Sequence, residues 1–142
     1  MMKQNPWSWK ELLALFVLTL VLVPIFIEYL LMQALTEAFG NNFHSANGLK
    51  ILTSFHNYEG ARIPYDETVI TKDVVIEDNV WIGLDVIILG GVTIGEGAII
   101  QAGSVVSQSI PALSIAGGNP ARKFKERNRE HYYALKKENK VF

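Results

Sequence analysis

The fold is decided by residues 70–106, which read ITKDVVIEDNVWIGLDVIILGGVTIGEGAIIQAGSVV. In this stretch an isoleucine or valine recurs at every sixth position: Ile70, Ile76, Ile82, Ile88, Ile94, Ile100 and Val106. A period of six fits neither an α-helix, with its 3.6 residues per turn, nor the two-residue alternation of an ordinary strand. It is typical of a parallel β-helix, in which every six residues form one short strand and one turn.

The predicted repeat block covers residues 69–110 and contains seven hexapeptides. Three strands close one coil of about 18 residues, so the block forms about two and a third coils. Each coil adds one strand spacing of about 4.8 Å, and the isoleucine and valine side chains point inward. A stack of this height buries only a small core. Its repeats contact only their neighbours and need capped ends, so few contacts stabilise it. Self-association is therefore expected on physical grounds.

The same region resembles a known family of enzymes. Residues 75–124, VIEDNVWIGLDVIILGGVTIGEGAIIQAGSVVSQSIPALSIAGGNPARKF, closely resemble the last coils of left-handed β-helix acyltransferases, in particular galactoside/maltose-type and polysaccharide O-acetyltransferases. The resemblance extends from about residue 44 to residue 125. It implies an all-β chain with a left-handed parallel β-helix, assembled as a homotrimer. The implied reaction transfers an acetyl group from acetyl-CoA to a sugar or polysaccharide precursor.

The chain divides into three segments by composition. Residues 1–40 are predicted to be an N-terminal hydrophobic helix, residues 41–120 the β-helix with an active-site loop, and residues 121–142 a basic C-terminal helix. The last segment carries eight Lys and Arg residues against three acidic ones. Such a tail is typical of a solvated helix or of one lying on an anionic membrane surface.

The N-terminal segment is long and apolar enough to cross a bilayer. No charged residue occurs from Leu12 to Ile27, and about 20 apolar residues suffice for a transmembrane helix. We therefore predict a membrane helix over Leu12–Leu35, interrupted by Pro24 and Glu28. Residues 5–29, NPWSWKELLALFVLTLVLVPIFIEY, also resemble the first membrane helix of CPBP/CAAX-type proteases, without that family's catalytic motifs. A secretory signal-like segment and a buried soluble helix are the alternative interpretations.

Two observations disagree about the side of the membrane on which the β-helix lies. Lys3 and Lys10 precede the apolar run and the next cation is Lys50, which favours an N-terminus inside and a β-helix outside. Acetyl-CoA chemistry instead requires the cytoplasmic face, with membrane association through Leu12–Leu35. The conflict supports a second hypothesis, a truncated or fused non-catalytic chain in which the β-helix is a trimerising remnant on a membrane anchor.

The resemblance identifies His56 as the general base. His56 lies in LTSFHNYEG, 25 residues before Trp81, and directly precedes a stretch that breaks the hexapeptide register. In the family the catalytic histidine occupies this place. Imidazole has a pKa near working pH, so it can take the proton of an acceptor that attacks the thioester directly. His44 has no obvious partner, and His131 lies in the charged C-terminal helix.

The resemblance also implies the contacts to coenzyme A. The cofactor-binding residues are expected to be Trp81, Leu84, Ala102, Ser107, Arg122 and Lys125. Leu84 directly follows Trp81-Ile82-Gly83, so its amide corresponds to the donor that stabilises the developing oxyanion. Ala102 keeps the groove between coils narrow for the pantetheine arm, and Arg122 and Lys125 meet the phosphates. Gln108 stands where the family often has a lysine.

Composition and spacing exclude several other classes of protein. The chain has no cysteine, which excludes a thiolate nucleophile, a disulfide framework and a cysteine-ligated metal. A net charge of −1 gives no field that attracts nucleic acid. Separated histidines without spaced carboxylates make a poor metal site, so no metal is expected. Gly95-x-Gly97 lacks the third glycine of a dinucleotide motif, and Ser54 and His56 lack a third triad member.

Overall fold

The computed structural model describes residues 37–142. They form thirteen short strands and one helix: β1 (Glu37–Phe39), β2 (His44–Ser45), β3 (Lys50–Leu52), β4 (Ser54–His56), β5 (Val69–Thr71), β6 (Val74–Ile76), β7 (Trp81–Ile82), β8 (Ile87–Leu89), β9 (Thr93–Ile94), β10 (Ile99–Ile100), β11 (Val105–Val106), β12 (Ser114–Gly118), β13 (Ala121–Glu126) and α1 (Arg129–Lys137). The predicted membrane helix over Leu12–Leu35 lies outside the described residues, as does the segment that resembles CPBP/CAAX-type proteases. Between residues 37 and 142, no helix combines the length and the apolar character that a membrane span requires.

Three parallel sheets form the sides of a triangular β-helix. The first face contains β1, β6 and β9; the second contains β2, β7, β10 and β12, with β13 at its edge; the third contains β3, β8 and β11. Successive strands visit the three faces in turn. Partner residues in neighbouring coils are 18 positions apart, as in Trp81 with Ile99 and Ile87 with Val105. This spacing confirms the predicted parallel β-helix.

The inward positions of the six-residue period fill the centre of the β-helix. Ile76, Ile82, Ile88, Ile94, Ile100 and Val106 are each at most 1% exposed. Their neighbours Val74, Val80, Val86, Val92, Ala98 and Ser104 are buried beside them. Because side chains alternate along a strand, the residue before each inward position faces outward. The ladder is thus confirmed from Ile76 to Val106.

Ile70 was wrongly included in this ladder. Its strand, β5, pairs antiparallel with β4 and forms a hairpin that leaves the β-helix after β3. His44 pairs with Trp81, which is 37 positions away rather than 18, so 19 residues are inserted between the first and second coils. The backbone groups of β4 and β5 form hydrogen bonds with each other, so the hairpin does not have to join one of the three sheets. The regular repeat therefore resumes at Val74, not at residue 69.

The β-helix contains one coil more than the periodicity predicts. β1, β2 and β3 pair with β6, β7 and β8, so strands begin at Glu37 and not at residue 41. The described strands occupy three coils and part of a fourth. In the first coil Phe43, Leu49 and Ile51 pack against the core, but Ser45 pairs with Ile82 at an inward position. This polar residue and the 19-residue insertion conceal the coil in the sequence.

The C-terminal segment packs on the β-helix and is not simply a solvated helix. Its first residues form β13, antiparallel to β12, and α1 begins only at Arg129. Tyr132 is buried, and its hydroxyl donates a hydrogen bond of 2.8 Å to Glu96. The guanidinium of Arg127 lies 4.9 Å from the centre of the same ring. His131 is exposed, and its backbone N–H donates a hydrogen bond to the side chain of the N-cap Asn128.

Tyr132 makes the packing of α1 sensitive to high pH. Burial raises the pKa of Tyr132 to about 12, and the hydrogen bond to Glu96 contributes to the increase. A tyrosine in the unfolded chain titrates near pH 10. The contribution of protonated Tyr132 to the stability of the fold is therefore complete below about pH 10 and is lost as the pH rises through about 12. We expect ultraviolet titration to detect one late-ionising tyrosine that Tyr132→Phe removes. The exposed Tyr133 is the control, and loss of the late step in Tyr133→Phe contradicts the assignment.

Candidate functional site

An apolar cleft of about 480 Å³ lies on the second face of the β-helix. Its lining consists of Ala46, Trp81, Gly83, Leu84, Ile99, Ile100, Gln101, Ala102 and Ile115. Three of the six residues predicted to bind the cofactor, Trp81, Leu84 and Ala102, are therefore brought together. They belong to two successive coils, so the stacking of coils creates the cleft.

The floor of the cleft is a row of outward-facing side chains. Trp81, Ile99 and Ile115 are register partners on β7, β10 and β12. Their neighbours Ile82 and Ile100 point inward and are buried, so strand alternation turns this row outward. The indole of Trp81 is 56% exposed and is available for contact with a ligand.

Leu84 and Ala102 form the corner beside this row. The two coils approach closely here, because the N–H of Gly103 donates to the carbonyl of Leu84 at 2.8 Å. A Cβ atom on Gly83 would lie 2.5 Å from the backbone nitrogen of Ala102, so only glycine permits the approach. Within the described residues, the N–H of Leu84 has no backbone acceptor.

Arg122 and Lys125 lie along the edge of the second face. On β13, Lys125 pairs with Ile115, which lines the cleft, and Arg122 pairs with Gly117. Directly paired residues point to the same side of a sheet, so both cations share the outer side with the cleft. A bulge at Phe124 allows this, because it adds one residue between the two pairs. The contact of these two cations with the phosphates of coenzyme A stays a prediction.

Two of the predicted site residues lie elsewhere in the chain. Ser107 follows β11 of the third face and does not line the cleft. His56 lies on β4, in the hairpin that leaves the β-helix after the third face. A single chain therefore does not bring the predicted base to the predicted cofactor cleft.

The environment of His56 is aromatic. Its exposed imidazole stacks on the phenol ring of Tyr65, with ring centres 4.1 Å apart and planes 8° from parallel. No side chain within residues 37–142 forms a hydrogen bond with the imidazole. The described part of the chain also contains no group of three or more His, Cys, Asp or Glu residues arranged to hold a metal ion. Tyr65 was missed in the sequence, where only its place in the loop after His56 marks it.

His44, for which the sequence indicates no partner, is a second residue that the structure brings to the site. It pairs with Trp81 across β2 and β7, so it lies beside the indole on the second face. Its Nε2 atom lies 2.9 Å from the Oδ1 atom of Asn42. The pairing was not predictable, because the first coil carries a weak repeat and is separated from β7 by the inserted hairpin.

Comparison with known proteins finds similar sequences and structures among transferases. Residues 73–108 match the family model described as bacterial transferase hexapeptide (six repeats). A maltose O-acetyltransferase from Clostridium difficile 630 is 37% identical, with a TM-score of 0.61 over 66% of this chain and 49% of its own. A hexapeptide-repeat acetyltransferase from Vibrio cholerae O1 biovar eltor, complexed with acetyl coenzyme A, is 30% identical, with a TM-score of 0.54 over 66% of this chain and 61% of its own.

A third similar structure is a mutant of AntD, an N-acyltransferase from Bacillus cereus, in complex with dTDP-4-amino-4,6-dideoxyglucose and coenzyme A. It is 26% identical, with a TM-score of 0.61 over 73% of this chain and 59% of its own. The chain thus spans about half to three fifths of these three proteins. The β-helix is left-handed, as the resemblance implied. Residues 73–108 therefore carry the hexapeptide repeat of bacterial transferases, on a β-helix of the kind that these acyltransferases contain.

Proposed function

We propose that the chain is an acyltransferase that moves an acetyl group from acetyl-CoA to a hydroxyl group of a sugar or polysaccharide precursor. The observation that carries the proposal is the cleft that contains Trp81, Leu84 and Ala102, with Lys125 and Arg122 on the same side of the sheet. Coenzyme A combines a long pantetheine arm with several phosphates. The apolar cleft suits the arm, and the two cations suit the phosphates.

The proposed reaction is a direct transfer without a covalent enzyme intermediate. The acceptor oxygen attacks the thioester carbonyl carbon while the imidazole of His56 takes the hydroxyl proton. The carbonyl oxygen becomes negative, and the N–H of Leu84, which has no backbone acceptor among residues 37–142, donates a hydrogen bond to it. The carbon–sulfur bond then breaks, the leaving thiolate takes the proton from His56, and the products are an acetyl ester and free coenzyme A.

This mechanism requires more than one copy of the chain. His56 lies on a hairpin that follows the third face, whereas the cleft lies on the second face. We infer a homotrimer in which the hairpin of one copy reaches the cleft of its neighbour. Acetyl-CoA supply places this site on the cytoplasmic face. The relatives include both O- and N-acyltransferases, and the higher identity to the maltose enzyme favours a hydroxyl acceptor.

The proposal is tested by binding and turnover of the full chain. We expect calorimetry to show binding of coenzyme A, and a free-thiol assay to show release of coenzyme A from acetyl-CoA only when maltose or another sugar acceptor is present. A chain that binds no coenzyme A overturns the proposal. If such a chain still sediments as a trimer, the result supports the alternative of a non-catalytic remnant.

The cations on β13 allow a sharper test of the cofactor site. We expect Lys125→Gln and Arg122→Gln each to weaken coenzyme A binding by several-fold to about tenfold, with a larger loss at low salt, because exposed charge pairs are screened. Lys123→Gln is the matched control. It removes the same charge from the same strand, but Lys123 pairs with the inward-facing Ala116 and forms an ion pair with Glu126.

S-acetylpantetheine, which lacks the nucleotide phosphates, provides a second comparison. Its affinity is expected to be unaffected by Lys125→Gln and Arg122→Gln. Equal losses for coenzyme A in Lys123→Gln and Lys125→Gln would indicate only a general charge effect and would contradict the assigned phosphate contacts.

A further inference from the structure

The contact between His56 and Tyr65 has the geometry of a positioning device. The two rings are nearly parallel, with centres 4.1 Å apart, so the phenol covers one face of the imidazole. Because the phenol covers a face of the imidazole and not its edge, both ring nitrogens stay accessible. In many enzymes a hydrogen bond to the second nitrogen orients the catalytic imidazole. Here the flat contact with Tyr65 restrains the ring instead.

Asp66, the residue after Tyr65, fixes the loop that carries the phenol ring. Its carboxylate accepts hydrogen bonds from the N–H of Ala61 and the N–H of Thr68, each at 2.9 Å. It also accepts the hydroxyl of Thr68, and this bond lowers the pKa of Asp66, so the carboxylate is ionised at neutral pH. The N–H of Asp66 itself donates to the carbonyl of Asn57 at 3.3 Å.

The loop is closed tightly around this carboxylate. A Cβ atom on Gly60 would lie 2.0 Å from Oδ2 of Asp66, so the chain passes directly against it. Three donors and one acceptor thus hold Asp66 in a single position. Because Tyr65 is its immediate neighbour, the same bonds fix the backbone from which the phenol reaches His56.

Burial of a hairpin core does not explain the stacking. Tyr65 is 47% exposed, and His56 is exposed as well. The partner of His56 across the hairpin, Val69, is 50% exposed. The aromatic pair therefore lies on an open surface, where a contact between two rings adds little to the stability of the fold. Its consequence is the restricted orientation of the imidazole.

We propose that Tyr65 is a positioning residue for His56, and that Asp66 holds Tyr65 in place. This inference rests on the proposed function, because it gives the stacked pair a role in the transfer step. The phenol ring, and not its hydroxyl, carries the role. The orientation of the imidazole governs proton transfer and leaves the cofactor cleft unchanged.

The test compares Tyr65→Leu and Tyr65→Phe in the full chain. We expect Tyr65→Leu to lower kcat by about 10- to 100-fold, the range in which a small misplacement of a reacting group acts, with an unchanged KM for acetyl-CoA. Tyr65→Phe keeps the ring and retains kcat. Proton NMR gives a second readout: the ring current shifts the His56 imidazole signals upfield in the wild type and in Tyr65→Phe, and the shift is lost in Tyr65→Leu.

Asp66→Ala is expected to act through the same pair. Its loss of kcat should match that of Tyr65→Leu, and the double variant should lose no more than either single one, because the residues act as one unit. The outcomes also separate the two proposals. If Tyr65→Leu keeps the wild-type kcat while His56→Ala is inactive, the positioning role of Tyr65 is overturned and the proposed function stands. Unchanged transfer in His56→Ala overturns the proposed function, and the positioning role with it.

Discussion

His56→Ala is expected to lower kcat for acetyl transfer by about 10²- to 10⁴-fold and to leave the affinity for coenzyme A unchanged. The loss corresponds to removal of a positioned general base, which contributes a factor of this size. Affinity is expected to be unchanged because the proposed cofactor contacts are made by the cleft lining and by the cations on β13, and not by the imidazole on the β4–β5 hairpin. Turnover is measured by thiol release at saturating acetyl-CoA and sugar acceptor, and binding by calorimetry.

His131→Ala is the matched control for this substitution. His131 lies exposed on α1, and its side chain has no role in the proposed site. Free imidazole added to the His56→Ala chain should restore part of the activity, because a soluble base can occupy the space of the missing ring. Equal kcat values for wild type and His56→Ala, or equal losses for His56→Ala and His131→Ala, would show that the base is another group.

The sequence predicted the central part of the fold for a clear physical reason. From Ile76 to Val106 every sixth residue is an isoleucine or valine that points inward, so a simple count along the sequence finds the period. The same stacking placed Leu84 and Ala102 at equivalent corners, because they are 18 positions apart. The first coil did not follow from the pattern. There Ser45 occupies an inward position, and the inserted hairpin shifts the partners of β2 by 19 residues.

The remaining features of the site depend on long-range geometry. The position of Lys125 beside the cleft requires the antiparallel return of β13 and a bulge at Phe124. The contact of Tyr65 with His56 requires a loop closed by Asp66. Neither the bulge nor the loop closure has a period or a spacing that marks it in advance. The resemblance supplied the residues, and the structure determined which of them lie together.

Ile88→Ala is expected to reduce the free energy of unfolding by about 2–5 kcal/mol, because it removes a buried side chain and leaves a cavity. Ile88 is fully buried in the second coil and pairs with Ile51 in the coil before it and Val106 in the coil after it. A coil of a solenoid contacts only its neighbours, so this cavity weakens the packing on both sides. Domains of this size are stable by only about 5–15 kcal/mol, so the loss is a large fraction of the total.

Ile87→Ala is the matched control, since Ile87 precedes Ile88 on β8 but faces outward and is only half-buried. Ile87→Ala is expected to reduce the free energy of unfolding by about 1 kcal/mol, because Ile87 buries less apolar surface on folding than Ile88 does. Urea unfolding at one fixed protein concentration measures both values, and the slope of the transition should not change. Repetition at a lower concentration identifies any contribution from contact between copies, which depends on concentration. Equal, concentration-independent losses in the two variants would contradict the assignment of Ile88 to the interior and Ile87 to the outside.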